Sequence, residues 1–139
     1  MKKKRLEIDY SYDFELLGVI SSIKGYRLAW QINRQLNVRL IKQADLVIHL
    51  KNKATCTYVY FAHDATVNKL KLFRNKPNEP DHLKNFLVPE FPHLDYILMA
   101  QGEDLNSNRL QEELRKIPSV ELAAFIPLDT LKSRENFIF

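Results

Sequence analysis

Apolar and polar positions alternate at the start of the chain. Leu6, Ile8 and Tyr10 interleave with Arg5, Glu7 and Asp9, the period of two of a half-buried strand. From Asp13 to Ser22 two periods compete. Phe14, Leu16, Gly18 and Ile20 alternate, while Leu16, Leu17, Ile20 and Ile23 fall at helical spacing, with Asp13 placed to cap. A short helix is the expectation there. Gly25 is a break. From Tyr26 to Leu36 the stripe Leu28, Ile32, Leu36, with Ala29 beside it, predicts an amphipathic helix. Asn37 suits its left-handed end. Strands are expected at Asp45–Leu50, Thr57–Ala62 and Val67–Arg74, the last two joined by a tight link through His63 and Asp64. Asn75 to Pro80 reads as a loop.

Leu94–Gln101 contains the run Tyr-Ile-Leu-Met-Ala, apolar on both faces, and so predicts a central strand. After Gly102 a helix is expected from Ser107 to Lys116. Its inner positions are Leu110, Leu114 and Ile117, and Arg109/Glu113 and Glu112/Lys116 are spaced as i,i+4 pairs outside. Val120–Ile126 reads as a strand with Val120, Leu122, Ala124 and Ile126 inward. Strand, helix and strand in so short a span predict a right-handed crossover between two parallel strands. Leu128 and Leu131 suggest a helical turn, and Phe137-Ile138-Phe139 an apolar tail that docks on its own core or on a partner. Together these elements predict a single α+β domain over residues 1–139: a mixed, mostly antiparallel sheet with helices packed on one face.

Composition agrees with a folded domain. The 139 residues are 45% hydrophobic and 27% charged, long enough to bury a core and too apolar for disorder. Cys56 is the only cysteine, which excludes an intrachain disulfide and fits a reducing compartment. The basic start Lys2-Lys3-Lys4-Arg5 is followed by Glu7, Asp9, Asp13 and Glu15 rather than an apolar segment, so no signal peptide is read. No stretch has the length of a membrane span. A cytoplasmic protein is the expectation.

The net charge of +4 is unevenly spread. Residues 1–89 carry sixteen Lys/Arg against eight Asp/Glu, and residues 90–139 five against nine. Between Leu16 and His63 stand Lys24, Arg27, Arg34, Arg39, Lys42, Lys51 and Lys53, with Asp45 the one acid. Basic residues with aromatics nearby suit single-stranded nucleic acid, RNA included, through phosphate contact and base stacking. The candidates are Arg27, Trp30, Arg34, Tyr58 and Tyr60. A solvated basic face with buried aromatics is the competing reading. Apolar area on the Tyr/Val/Phe-rich hairpin and the tail adds a further expectation, a homodimer or another protein partner.

Chemistry-bearing motifs are sparse. Gly18, Gly25 and Gly102 are too far apart for a phosphate-binding loop, and no nucleophile-elbow or helical zinc motif is present. His49, His63, His82 and His93 lack metal-ligand spacing, and Cys56 reads as a small core residue. No metal or cofactor is implied. Glu90 and Asp95 flank the turn into the central strand. Their structural reading is acceptance of backbone N–H bonds or pairing with an Arg; their catalytic reading is an acid/base pair, with no nucleophile to accompany it. A non-enzymatic binding protein is the first expectation, a nucleic-acid-associated protein the second, and an enzyme built around Glu90 and Asp95 the third.

The segment Val88-Pro89-Glu90-Phe91-Pro92-His93-Leu94-Asp95-Tyr96 resembles the signature of the bacterial family called IPExxxVDY. Pro89, Glu90, Asp95 and Tyr96 match it, and Val88 and Leu94 are conservative replacements. Tyr26-Arg27-Leu28-Ala29-Trp30 is also similar to that family. The resemblance implies a small soluble protein of Bacteroidetes-type bacteria and no activity. Physically, Pro89 and Pro92 hold Val88 and Phe91 extended and deny the segment continuous sheet pairing.

Overall fold

The computed structural model describes residues 13–51, 53–82, 84–102 and 106–138. The strand expected at Leu6–Tyr10 lies outside them. Eight strands are described: β1 (Phe14–Ile20), β2 (Ile41–Lys42), β3 (Leu46–His49), β4 (Thr55–Tyr58), β5 (Tyr60–Asp64), β6 (Lys69–Arg74), β7 (Tyr96–Gln101) and β8 (Leu122–Ile126). Helices α1 (Gly25–Leu36) and α2 (Ser107–Arg115) follow β1 and β7. Six strands form one sheet in the order β2-β5-β6-β7-β1-β8, and β3 pairs with β4 alone. All neighbouring strands are antiparallel. Taken with the two helices, β1, β6, β7 and β8 have the β-α-β-β-α-β order of a ferredoxin-like sheet, with β2 to β5 inserted between α1 and β6. The α+β class with helices on one face holds.

The central place of β7 follows from its composition. Ile97 and Leu98 are fully buried, and Tyr96, Met99 and Ala100 nearly so. Tyr96, Leu98 and Ala100 face α1 and α2, where Leu28, Ala29, Ile32, Leu110, Leu114 and Ile117 complete one core. Ile97 and Met99 face a second core made by the β3–β4 hairpin, residues 87–94 and the C-terminal segment. Helices thus cover one side of the sheet, and the β3–β4 hairpin with the two irregular segments covers the other. Each fully buried large aliphatic contributes roughly 1.5–3 kcal/mol, so the five residues of this strand anchor both layers.

Four expectations change. The stretch Asp13–Ser22 holds the strand β1, Phe14–Ile20, not a short helix. β1 lies between β7 and β8 and is buried on both faces, with Leu16 in one core and Leu17 and Val19 in the other. Double burial erases the alternation that marks a strand. Asp13 caps nothing; it accepts a hydrogen bond from Gln101 Nε2 at 2.7 Å. The crossover also differs. β7 and β8 run parallel, but β1 sits between them, so the sheet has no parallel neighbours.

Thr57–Ala62 is two strands. The chain leaves the hairpin at Val59 and enters the main sheet at Tyr60. Finally, β8 begins at Leu122, which is exposed, while Val120 and Ala123 reach the helix-side core and Ile126 the other. Val120 belongs to the turn before the strand, so the alternation does not continue through it.

Helix α1 ends as its sequence predicts, with Asn37 at φ 57°. In α2, Lys116 pairs with Glu113 at 2.8 Å, one residue closer than the i,i+4 spacing to Glu112. Of the tail, Phe137 docks internally, its ring 5.2 Å from that of Phe73 and 6.5 Å from that of Phe14, Ile138 is exposed, and Phe139 lies outside the described residues. No described helix is long and apolar enough to cross a membrane.

Candidate functional site: a basic cleft at the start of the first helix

The proline-set segment before β7 is a clamp. Asn75, fully buried, donates through Nδ2 to the carbonyls of Phe91 (3.1 Å) and Leu94 (2.9 Å) and accepts the Val88 N–H at 2.8 Å. Backbone bonds from Asn75 N–H to the Asp95 carbonyl and from Leu87 N–H to the Asn75 carbonyl close the loop. Leu94 packs over Gly18, where a Cβ would lie 2.4 Å from its Cδ1. A larger residue at this place in β1 would have to displace the Leu94 side chain.

The two carboxylates serve different parts of the chain. Glu90 Oε2 accepts the backbone N–H groups of Lys132 (2.6 Å) and Ser133 (3.1 Å), and Oε1 accepts the Ser133 hydroxyl at 2.7 Å. Partial burial pushes its pKa up, but these bonds outweigh that and hold it below the ordinary glutamate value. Glu90 pins the C-terminal segment. Asp95 Oδ2 instead accepts the Ser21 N–H at 2.9 Å, and the Tyr96 hydroxyl donates to the Ile23 carbonyl at 2.6 Å. Burial raises the Tyr96 pKa, Arg74 opposes that and Asp95 adds to it, so the phenol keeps its donor proton. Asp95 and Tyr96 fix the connection from β1 to α1, and with it the first turn of α1.

That first turn borders a cleft of about 700 Å3. Lys24 and Gly25 come from the helix start, Lys42 from β2, Arg74 from the end of β6 and Lys76 from the loop beyond. Tyr26, Phe61, Phe86 and Tyr96 supply aromatic walls. The helix opens at Lys24 in extended conformation with no side-chain cap, and no acid stands in its first turn. The N–H groups of Gly25 and Tyr26 are among those that no intrahelical carbonyl can satisfy. Such a terminus favours anions. Ser21, also in the wall, is 2% exposed, and its hydroxyl oxygen has no hydrogen-bond partner among the described residues. Lys42 lies 3.6 Å from Asp45. Among the described residues, no carboxylate lies in ion-pair range of Lys24, Arg74 or Lys76. Four cationic groups face one carboxylate, Asp95, half of which is already occupied by Ser21.

The structure redistributes the residues singled out by sequence. Arg27, Trp30 and Arg34 are exposed along the outside of α1, with the Arg34 guanidinium 4.9 Å from the Trp30 ring centre. Tyr58 and Tyr60 do not join them. Tyr58 is buried in the core on the opposite side of the sheet, its hydroxyl bonded to the Asn85 carbonyl at 2.5 Å. Tyr60 is half-buried there, stacked 5.1 Å from Phe73. The basic stretch 24–53 also divides: Lys24 and Lys42 reach the cleft, whereas Arg39 lines a separate depression with Lys69 and Lys71. Arg74 and Lys76 were missed. Their signal was the run Lys69-Leu70-Lys71-Leu72-Phe73-Arg74-Asn75-Lys76, read as strand and loop only.

Glu90 does not line the cleft, and both carboxylates hold backbone N–H groups, as their structural reading expected. Cys56 is buried, and burial first, then Glu79, pushes its thiol pKa up, against a smaller opposing effect of the Tyr58 hydroxyl. A raised pKa leaves little thiolate for nucleophilic work. Among the described residues no three His, Cys, Asp or Glu side chains are grouped to hold a metal. Compared with known protein families and with curated proteins, the chain matches none.

Proposed function

We propose that this is a non-catalytic binding protein that takes an anionic, phosphate-bearing ligand in the cleft at the start of α1. One observation carries the reading: Lys24, Lys42, Arg74 and Lys76 converge with an uncapped helix start on one cavity. Bringing four cations together with a carboxylate partner for Lys42 alone is electrostatically unfavourable, and a bound polyanion relieves it. Asp95 and Tyr96 act as positioning residues for the helix start. The cytoplasm, which keeps Cys56 reduced, is the compartment that suits such a ligand. Isothermal titration with inorganic pyrophosphate tests the reading. Binding to the parent chain and at least tenfold weaker binding to the Arg74→Glu/Lys76→Glu variant are expected. Equal affinity of the two, or no heat of binding at millimolar pyrophosphate, refutes it.

A second reading, self-association, rests on β8. This strand borders the sheet and exposes Leu122 and Phe125. Arg115 Nε donates to the Ala123 carbonyl and so occupies one acceptor of this edge. Light scattering of the parent chain and of Leu122→Glu/Phe125→Glu decides it: a dimer mass lost in the variant supports the reading, and a monomer mass in both removes it.

A further inference from the structure

Tyr26 belongs to two surfaces. It lines the cleft, yet it is 62% exposed, and one helical turn further along α1 stands Trp30, 57% exposed. Large aromatic rings left in water at i,i+4 on one helix, with Arg27 and Arg34 beside them, extend the cleft as a ridge. Arg34 lies over the Trp30 ring and restrains the indole. Resting on the anion-cleft reading, we propose that the ligand is a single strand of nucleic acid. A phosphate occupies the cleft, and successive bases leave it along α1 to stack on Tyr26 and Trp30.

The ridge selects among anions. Inorganic polyphosphate and acidic peptides supply negative charge but no flat rings for Tyr26 and Trp30. A mononucleotide fills the cleft and leaves Trp30 bare. A polymer with a charge and a ring in every unit uses both surfaces. Four residues of helix rise about 6 Å. Stacked bases repeat every 3.4 Å or so. The two rings therefore take bases that are no longer stacked on each other, which a single strand offers and a duplex does not.

Trp30 is the only tryptophan, so its fluorescence reports occupancy of the ridge directly. The full chain is titrated with labelled oligouridine, oligothymidine and a duplex of the same length, read by anisotropy and by indole emission. Pyrophosphate and polyglutamate serve as comparison anions. Oligonucleotide binding is expected to quench the indole, and pyrophosphate binding to leave it unchanged. With four cationic contacts, the log–log salt slope for a single strand is about −3, an affinity loss of roughly 50-fold between 50 and 200 mM salt. Trp30→Ala, a surface change whose folding is confirmed by circular dichroism, weakens the oligonucleotide at least about fivefold and leaves pyrophosphate unaffected.

A difference between the two single-stranded arms assigns RNA or DNA within the proposal. Pyrophosphate binding with no oligonucleotide response in the indole, or no effect of Trp30→Ala, overturns the nucleic-acid assignment and leaves the anion cleft standing. Polyglutamate or duplex matching the single strands in affinity and quenching overturns it too. Failure of both pyrophosphate and oligonucleotide to bind removes the cleft reading as well.

Discussion

Asn75 ties the proline-set segment to the sheet from inside the protein. Its side chain makes three hydrogen bonds at 2.8, 2.9 and 3.1 Å from a fully buried position. Asn75→Ala strands the Val88 N–H and the Leu94 carbonyl inside the protein, while the Phe91 carbonyl keeps its bond from the Leu94 N–H at 3.2 Å. A stranded buried group costs about 1–3 kcal/mol, which gives roughly 2–6 kcal/mol for the two. That is a large share of the ~5–15 kcal/mol that holds an ordinary domain together. Urea unfolding measures it: with a slope near 2 kcal/mol/M, the midpoint falls by about 2 M. Asn75→Asp sharpens the test. The carboxyl keeps the acceptor for Val88 but turns oxygen toward two carbonyls, so it must hold a proton. Its pKa in the folded state is therefore raised above the ~3.9 of an unfolded aspartate. A raised acid is compatible with the fold below its unfolded pKa and loses that compatibility as pH rises toward the folded one. The deficit of Asn75→Asp is smallest near pH 4 and grows by up to about 1.4 kcal/mol per pH unit above it. A loss under about 1 kcal/mol for Asn75→Ala, or a pH-independent deficit for Asn75→Asp, refutes the clamp.

Three further outcomes are expected. Glu90→Gln, which weakens the cap on Lys132 and Ser133, costs about 0.5–2 kcal/mol by thermal or chemical unfolding. Because the Glu90 pKa is depressed in the folded state, its contribution is present above the unfolded value near 4.5 and is lost as pH falls through the folded one. The variant lacks that part of the acid limb. Phe137→Ala empties a site between Phe14 and Phe73 and costs about 3–5 kcal/mol, whereas a tail that merely rests on the surface would cost almost nothing. Gly18→Val drives a branched side chain into Leu94 and costs about 1–3 kcal/mol; it is relieved in part by Leu94→Ala in a double-mutant cycle, and strict additivity argues against the contact.

Much of the fold was legible in the sequence because local rules and tertiary packing agreed. The α1 stripe, its Asn37 end, the apolar run of β7 and the inner positions of α2 each bury what their spacing says they should. The failures share a cause. Leu16, Leu17 and Ile20 carry helical spacing only because β1 is covered on both faces, a fact about its neighbours. Leu122 turns outward because β8 has a neighbour on one side alone. The cleft was legible in half. Lys24 and Lys42 lay in the basic stretch; Arg74 and Lys76 reach them only because β6 ends beside the start of β7. Tyr58 and Tyr60 looked like partners of Trp30, and the sheet stands between them.

By itself the sequence determined the two helices, the central strand and the excess of positive charge before residue 90, because periodicity and composition are properties of short segments. The tertiary structure alone decided which cations share a cleft and which aromatics stay in water. It also gave the carboxylates of the proline-set segment to different parts of the chain. Those are distances between residues up to seventy or more positions apart, such as Ser21 and Asp95, and they exist only once the strand order brings the segments together.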